Sequence, residues 1–316
     1  MKKFLITIFI ILVAVSLRAN YYYLSYNGSD SNDGLKRYEP FQTFSKAASE
    51  MSPGDYLICD GFGGIYFIDS TACSFTLSGN SDSLIHILGI NGFNIANASD
   101  SVTYFDLSSS NYLVVNNLQF NSLTYNDSLY VRLGYSTSGI EKYYYLNNCF
   151  FETKVCITDT FSEGDYFANL FITACCFIDG LDYSVKVYND LSNNYSTLSI
   201  NHCSFYSTEP IYINNTGGTA YNFSLQNTII HTCTNIITLA EGTLDSPTHK
   251  QNILYGYDTY CDLVEIVPND SEMEADPLYN STTFHNLYLQ ELSPAIGFYS
   301  SYCGALPRIA LKIGDL

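Results

Sequence analysis

The 316-residue chain has no tryptophan, three methionines and eight prolines, and too little positive charge to balance its acids. Thirteen Lys and Arg face 31 Asp and Glu, for a formal net charge of −18. Such a surface repels nucleic acid and anionic lipid, so neither is expected as a partner, and a polyanionic ligand would need a local basic patch or bound cations. Beyond the first nineteen residues no apolar run is long enough to span a bilayer. No two Cys-x-x-Cys units occur, which argues against a zinc site, and "CC" at 175–176 sends its side chains to opposite faces of a strand.

Hydrophobic residues make up 47% of the chain, ample for a core. The first nineteen, "MKKFLITIFIILVAVSLRA", combine two lysines, an apolar run and a small residue at Ala19. They read as a secretory signal peptide cleaved before Asn20. Cleavage removes Lys2, Lys3 and Arg18 and takes the net charge from −18 to −21. The expected location is therefore extracellular or at the cell surface.

A repeat then runs through the middle: "VVNNLQF" (114–120), "YLNNCFF" (145–151), "FITACCF" (171–177), "SINHCSF" (199–205) and "SLQNTII" (224–230). Aligned on Asn117, Asn148, Ala174, His202 and Asn227, the copies are 31, 26, 28 and 25 residues apart. A period of this length marks a stacked array. Apolar residues stand two before the anchor and one and three after it. The alternation after the anchor is a strand period, and the gap before it breaks that period, so a bend sits between two strands. Asn suits such a bend because it tolerates the left-handed backbone conformation. Stacked at about 4.8 Å, Asn116, Asn147, Thr173, Asn201 and Gln226 are expected to form a ladder of mutually bonded side chains.

The ten cysteines of a secreted chain suggest disulfides. Cys149, Cys175 and Cys203, however, share one inward slot of the repeat, where a thiol acts as a small hydrophobe. Stacked neighbours are close enough to bridge, so both readings stand. Cys59 with Cys73, and Cys261 with Cys303, are the pairs expected elsewhere. Eight Asn-x-Ser/Thr sequons, Asn27 among them, are only slightly more than chance supplies.

Upstream of the repeat, "YYYLSYNGSDSNDGLKRYEPFQTFSKAASEMSPGDYLICDG" (21–61) predicts a strand, a polar loop and an amphipathic helix. Phe41, Phe44, Ala47, Ala48 and Met51 share one face of that helix, which stops at "SPGD". This stretch resembles the N-terminal cap of secreted right-handed parallel β-helix proteins of the pectate-lyase-like superfamily. "SLIHILGINGFNI" (83–95) and "YFDLSSSNYLVVNNLQF" (104–120) resemble its first coils. The blocks "DPLY", "SPAIG" and "GALP" within 274–307 resemble its closing segment.

The expected fold is all-β: a single-stranded right-handed parallel β-helix of about seven coils with a short N-terminal capping helix. Residues 1–19 are the signal peptide, 20–55 the strand, loop and capping helix, 56–255 the coils and 256–316 the closing segment. An antiparallel sandwich would instead show hairpin turns about every 8–12 residues.

Members of the superfamily cleave acidic polysaccharides by elimination, with a base and often calcium, or hydrolyse glycosidic bonds with carboxylates. Polygalacturonase-type blocks "NTD", "DD", "GHG" and "RIK" are absent, as are the "WIDH" and "RxPxxR" blocks of many pectate lyases. A lyase with a lysine or arginine base and no contiguous motif stays open. Its candidates are Lys154, Lys186 and Arg132 as catalytic residues, with Asp179 and Asp182 as ligands for calcium. The alternative for each is a solvated face. Asp30, Asn32 and Asp33 in "SDSNDG" read as turn formers, His202 as a corner residue, and "YYY" at 143–145 as strand-forming tyrosines that also suit sugar stacking. Two functions follow: a monomeric secreted protein engaging extracellular polysaccharide, in its enzymatic version a uronate lyase, or a non-catalytic surface or adhesion scaffold.

Overall fold

The computed structural model describes residues 19–68, 72–97, 102–122, 128–134, 142–152, 155–159, 168–178, 183–189, 197–206, 209–215, 221–241, 244–261, 271–277, 279–281, 286–289 and 293. The signal segment up to Arg18 lies outside them.

A nine-stranded sheet runs from Tyr21–Leu24 through Tyr56–Asp60, Ile85–Ile90, Leu113–Asn116, Lys142–Asn147, Ala168–Thr173, Thr197–Asn201 and Tyr221–Gln226 to Leu244–Lys250. A 15-stranded sheet takes the two remaining strands of each coil. One of its edges begins Tyr66–Ile68, Asn94–Asn97, Gln119–Asn121 and Phe150–Phe151; the other begins Ala72–Ser74, Thr103–Asp106, Leu129–Leu133 and Val155–Asp159. Every pairing within these two sheets is parallel, and strands of successive coils are in register. Short strands paired only with their counterparts one coil away make a parallel β-helix. A pair near the C-terminus, Tyr279–Ser281 with Asn286–Leu289, is antiparallel.

The bend falls where the repeat places it. Asn117, Asn148, Ala174, His202 and Asn227 all have φ between 50° and 57°, and Asn91 and Gln251 extend the series at 54° and 57°. This is the left-handed region that costs a non-Gly residue roughly 1–2 kcal/mol. The corner N–H groups offset that cost by bonding to the next coil: Asn117 N–H donates to Asn147 O (3.0 Å), Asn148 to Thr173 O (2.9 Å), Ala174 to Asn201 O (3.0 Å) and His202 to Gln226 O (3.1 Å). The expected ladder is therefore corrected. Asn116, Asn147, Thr173, Asn201 and Gln226 do stack in register, but Gln226 Nε2 donates within its own strand to Ser224 Oγ (2.7 Å), and the described side-chain bonds that link one coil's bend to the next start from the corner residues. Asn148 Nδ2 donates to Asn117 Oδ1 (3.4 Å) and Asn227 Nδ2 to Asn201 Oδ1 (2.9 Å).

About six complete turns lie between Asn91 and Gln251, after a first coil that starts at Tyr56. The first coil turns differently, through a 3-10 turn at Gly61–Gly63 in place of a left-handed corner.

The core is a set of columns. Phe120, Phe151, Phe177 and Phe205 stack at ring-centroid spacings of 5.2, 4.7 and 4.6 Å, with interplanar angles of 5° or less. Cys149, Cys175 and Cys203 form the neighbouring column, reduced and buried. Each thiol donates to the carbonyl two residues back, Asn147, Thr173 or Asn201, at 3.4 Å. Thr228 repeats that bond to Gln226 O at 2.8 Å. The slot thus selects a small donor as well as a small hydrophobe. Cys59 and Cys73 are not joined to each other, which removes that bridge; the Cys261–Cys303 pair lies partly outside the described residues, at Cys303.

The helix spans Phe44–Glu50, and Thr43 caps it by accepting from Lys46 N–H at 3.1 Å. Phe44 packs into a ring cluster with Tyr66, Phe75 and Phe105 at centroid distances of 4.9–5.1 Å, closing the N-terminal end of the core. Phe41 precedes the helix and is buried as a bridge to Leu24. Gly34, at φ 68°, is forced: a Cβ there would lie 2.3 Å from the Phe41 ring. Asp33 accepts from Leu35 N–H and so forms a turn, whereas Asp30 accepts from Gln42 N–H, Thr43 N–H and Thr43 Oγ1 at 2.7–2.9 Å and ties the loop to the start of the helix, a correction to its expected role as a turn former.

Candidate functional site

Arg132 and Lys186, far apart in sequence, come together through register. Arg132 pairs with Thr158, Thr158 with Lys186, and Lys186 with Tyr212 on successive coils. Asp106 precedes Arg132 and Thr238 follows Tyr212 in the same column. The two cations stand two rungs apart, roughly 9–10 Å at the usual strand spacing. Alternation points the column away from the core, because the adjoining Val131, Ile157, Val185 and Ile213 are buried, although Thr158 between the two cations is itself covered, at 3% exposure.

Aromatic rings frame both cations. The Arg132 guanidinium lies 3.8 Å from the centroid of Tyr104, which stacks on Tyr130 at 5.5 Å. Asp106 Oδ2 is 3.3 Å from Arg132 Nη1, and Asp106 Oδ1 accepts from Ser108 N–H at 2.9 Å. Arg132 Nε–H is buried with no partner among the described residues, a costly donor in the middle of a polar face. The Lys186 ammonium sits 5.7 Å from the Tyr183 ring and 5.1 Å from the Tyr212 ring. Burial first, and the nearby Glu209 carboxylate second to a hydrogen bond that opposes it, shift the Tyr183 phenol upward, so it stays a neutral donor.

Of the other candidates, Lys154, Asp179 and Asp182 lie outside the described residues. Sequence reading missed Asp106, Tyr104 and Tyr212, because only the 26- and 28-residue offsets bring them beside Arg132 and Lys186. The "YYY" segment divides by face. Tyr143 and Tyr145 stack outward on Tyr112 and Phe171 at 5.1 and 4.9 Å, while Tyr144 is buried with its hydroxyl on Leu107 O and Ser110 O. His202 serves as a corner. His231 is stacked between Tyr206 (4.9 Å) and Tyr255 (5.0 Å), and burial lowers its pKa.

At the C-terminal end the fully buried Glu272 carboxylate accepts from Asn252 Nδ2 (2.6 Å) and Tyr260 Oη (3.0 Å) and meets His249 Nδ1 at 2.8 Å. Asn252 in turn accepts from Thr228 N–H (3.0 Å). This network seals the end of the thiol column. Among the described residues no helix is long and apolar enough to cross a membrane, and no group of three or more His, Cys, Asp or Glu is placed to hold a metal ion.

No protein-family profile matches the sequence, and no curated protein aligns with it. Solved structures similar to the chain include a rhamnogalacturonan lyase (12% identity, TM-score 0.40, 75% of this chain and 74% of that one). They also include the pectate lyase Pel9A (14%, 0.37, 92% and 96%). A third is the GH136 lacto-N-biosidase from Eubacterium ramulus (11%, 0.34, 81% and 67%). Identities and scores this low carry no reaction across. The strand pairing by itself makes the coils a parallel β-helix.

Proposed function

We propose that the protein binds extracellular acidic polysaccharide along the outer face of the strands Thr103–Asp106 to Ile211–Asn215. The observation that supports this most is the placement of Arg132 and Lys186 in one outward column, each against tyrosine rings, on a chain of net charge −18. Cations presented every second rung suit carboxylates spaced along a polymer, and flanking rings suit the C–H faces of sugars. The leader-like composition of residues 1–19 supports secretion.

In the enzymatic version of this reading, Arg132 neutralises the uronate carboxylate, and Lys186 or Lys154 removes the adjacent proton. Asp179 and Asp182 would hold calcium to spread the developing charge. The binding reading needs only Arg132, Lys186 and the rings.

The test is affinity electrophoresis and calorimetry against polygalacturonate and alginate, with and without calcium, together with ultraviolet absorbance of unsaturated product. Binding that weakens at least tenfold in Arg132→Ala and Lys186→Ala is expected, and product that disappears in Lys186→Ala or Lys154→Ala would add the lyase. Retention of full affinity in the Arg132→Ala/Lys186→Ala double variant would reject this face.

A further inference from the structure

Among the described residues, six of the eight exposed large hydrophobic side chains lie in the first 67 positions, against the N-terminal cap: Tyr21, Tyr26, Leu35, Tyr38, Phe62 and Phe67. Tyr38 and Phe62 are the most open, at 77% and 75% exposure. They flank a cleft of about 330 Å³ whose walls include Asn27, Arg37 and Asp60. Exposed aromatic surface concentrated at one cleft is unusual for a surface with no ligand.

The floor of the cleft is ordered. Asp60 is 6% exposed, and its carboxylate accepts from Asn91 Nδ2 (2.8 Å), Phe62 N–H (3.1 Å) and Arg37 Nε (2.6 Å). Arg37 engages Asp60 through Nε alone, so its terminal N–H groups have no protein partner among the described residues; the guanidinium lies 5.2 Å from the Phe62 centroid. Burial acts to raise the Asp60 pKa, but these hydrogen bonds outweigh it and hold the carboxyl below its usual range. The pair is therefore a fixed, neutral donor–acceptor edge between two rings.

The chemistry of the ligand follows by elimination. A purely apolar ligand would strip water from Arg37 and Asp60 without replacing its bonds. A cation would meet Arg37, and an anion would meet Asp60. An uncharged ring with adjacent hydroxyls on its edge and C–H groups on its faces matches all three elements. The volume is at the small end of the ~300–1,000 Å³ range of ligand sites, room for one ring and not for a chain.

We propose that the cap cleft is a second carbohydrate site, taking one uncharged pyranose unit of a glycan between Tyr38 and Phe62 with its hydroxyls on Arg37 and Asp60. It is separate from the Arg132–Lys186 face and does not depend on it.

The experiment is calorimetry of the purified protein, made in bacteria so that the Asn27 sequon at the rim carries no glycan, against neutral cello-, xylo-, manno- and galacto-oligosaccharides up to 10 mM. At least one is expected to bind, with a tenfold or greater loss in both Tyr38→Ala and Phe62→Ala and no change in Arg132→Ala/Lys186→Ala. Both aromatics are exposed, so their removal leaves the fold intact, checked by an unchanged thermal midpoint. Absence of heat across the panel, or binding indifferent to Tyr38 and Phe62, overturns the proposal. So does sedimentation showing a dimer that Tyr38→Ala converts to monomer, since the patch would then be a subunit contact.

Discussion

Phe177 and Phe205 offer a controlled measurement of what column stacking contributes. Both are inward and at most 1% exposed, so truncating either removes the same apolar area and leaves a similar cavity. Phe→Ala in a packed core costs about 3–5 kcal/mol. The neighbours differ. Phe177 lies parallel to Phe151 at 4.7 Å and to Phe205 at 4.6 Å, whereas Phe205 faces Phe177 on one side and Ile230 on the other. A ring pair adds about 0.5–1.5 kcal/mol beyond its area. Phe177→Ala should therefore exceed Phe205→Ala by that increment. Urea unfolding followed by far-ultraviolet circular dichroism gives both values, provided the m-values match, because solenoids can unfold in segments. If Phe205→Ala proves as costly as Phe177→Ala or more so, ring stacking is not what the column contributes and shape filling alone explains it.

Ala174→Asn, which puts a residue tolerant of φ near 53° at the one alanine corner, should raise stability by about 0.5–1 kcal/mol, read as a higher thermal midpoint. Burial pushes the Cys175 thiol well above its usual pKa, and Cys149, Cys175 and Cys203 are all buried from any reagent, so the three should resist a disulfide reagent at pH 8 in the folded protein and react fully in urea. The Asp60 carboxyl has a folded pKa below the unfolded ~3.9, so its contribution is complete above pH ~4 and is lost as pH falls through the lowered folded value. Asp60→Asn should accordingly flatten the fall in stability below pH ~4.

The coils were legible because they obey a local rule repeated at nearly constant offset: the bend, the inward phenylalanines and the inward slot of the cysteines all follow from the seven-residue blocks. Even Ala174 and His202, which break the Asn pattern, take the left-handed corner, since their stacked neighbours over-determine it. The Asn ladder was misplaced by one residue because Asn-Asn pairs at 116–117 and 147–148 look alike until backbone angles separate them. The Cys59–Cys73 bridge was expected from number and compartment, and the cap that holds Cys59 fully buried was not visible in the spacing. The site was half legible. Arg132 and Lys186 stood out as scarce cations, but Asp106, Tyr104 and Tyr212 acquire meaning only through pairing across coils. The cap cleft had no signal at all, since Tyr38, Phe62 and Asp60 converge through turns whose geometry the sequence does not spell out.

The likeness of one coil to the next has a consequence for how the chain finds its register. Phenylalanine over phenylalanine and thiol over thiol would match almost as well if a strand skipped its neighbour and paired one rung further on, at the expense of a longer loop. Nothing inside the stack marks which rung is which. The ring cluster around Phe44 does, because it fits a single coil, and it supplies the origin from which the others are counted. Assembly that starts at the cap and adds coils in order escapes the skipped pairings, so the N-terminal helix acts as a zero mark for the whole ruler.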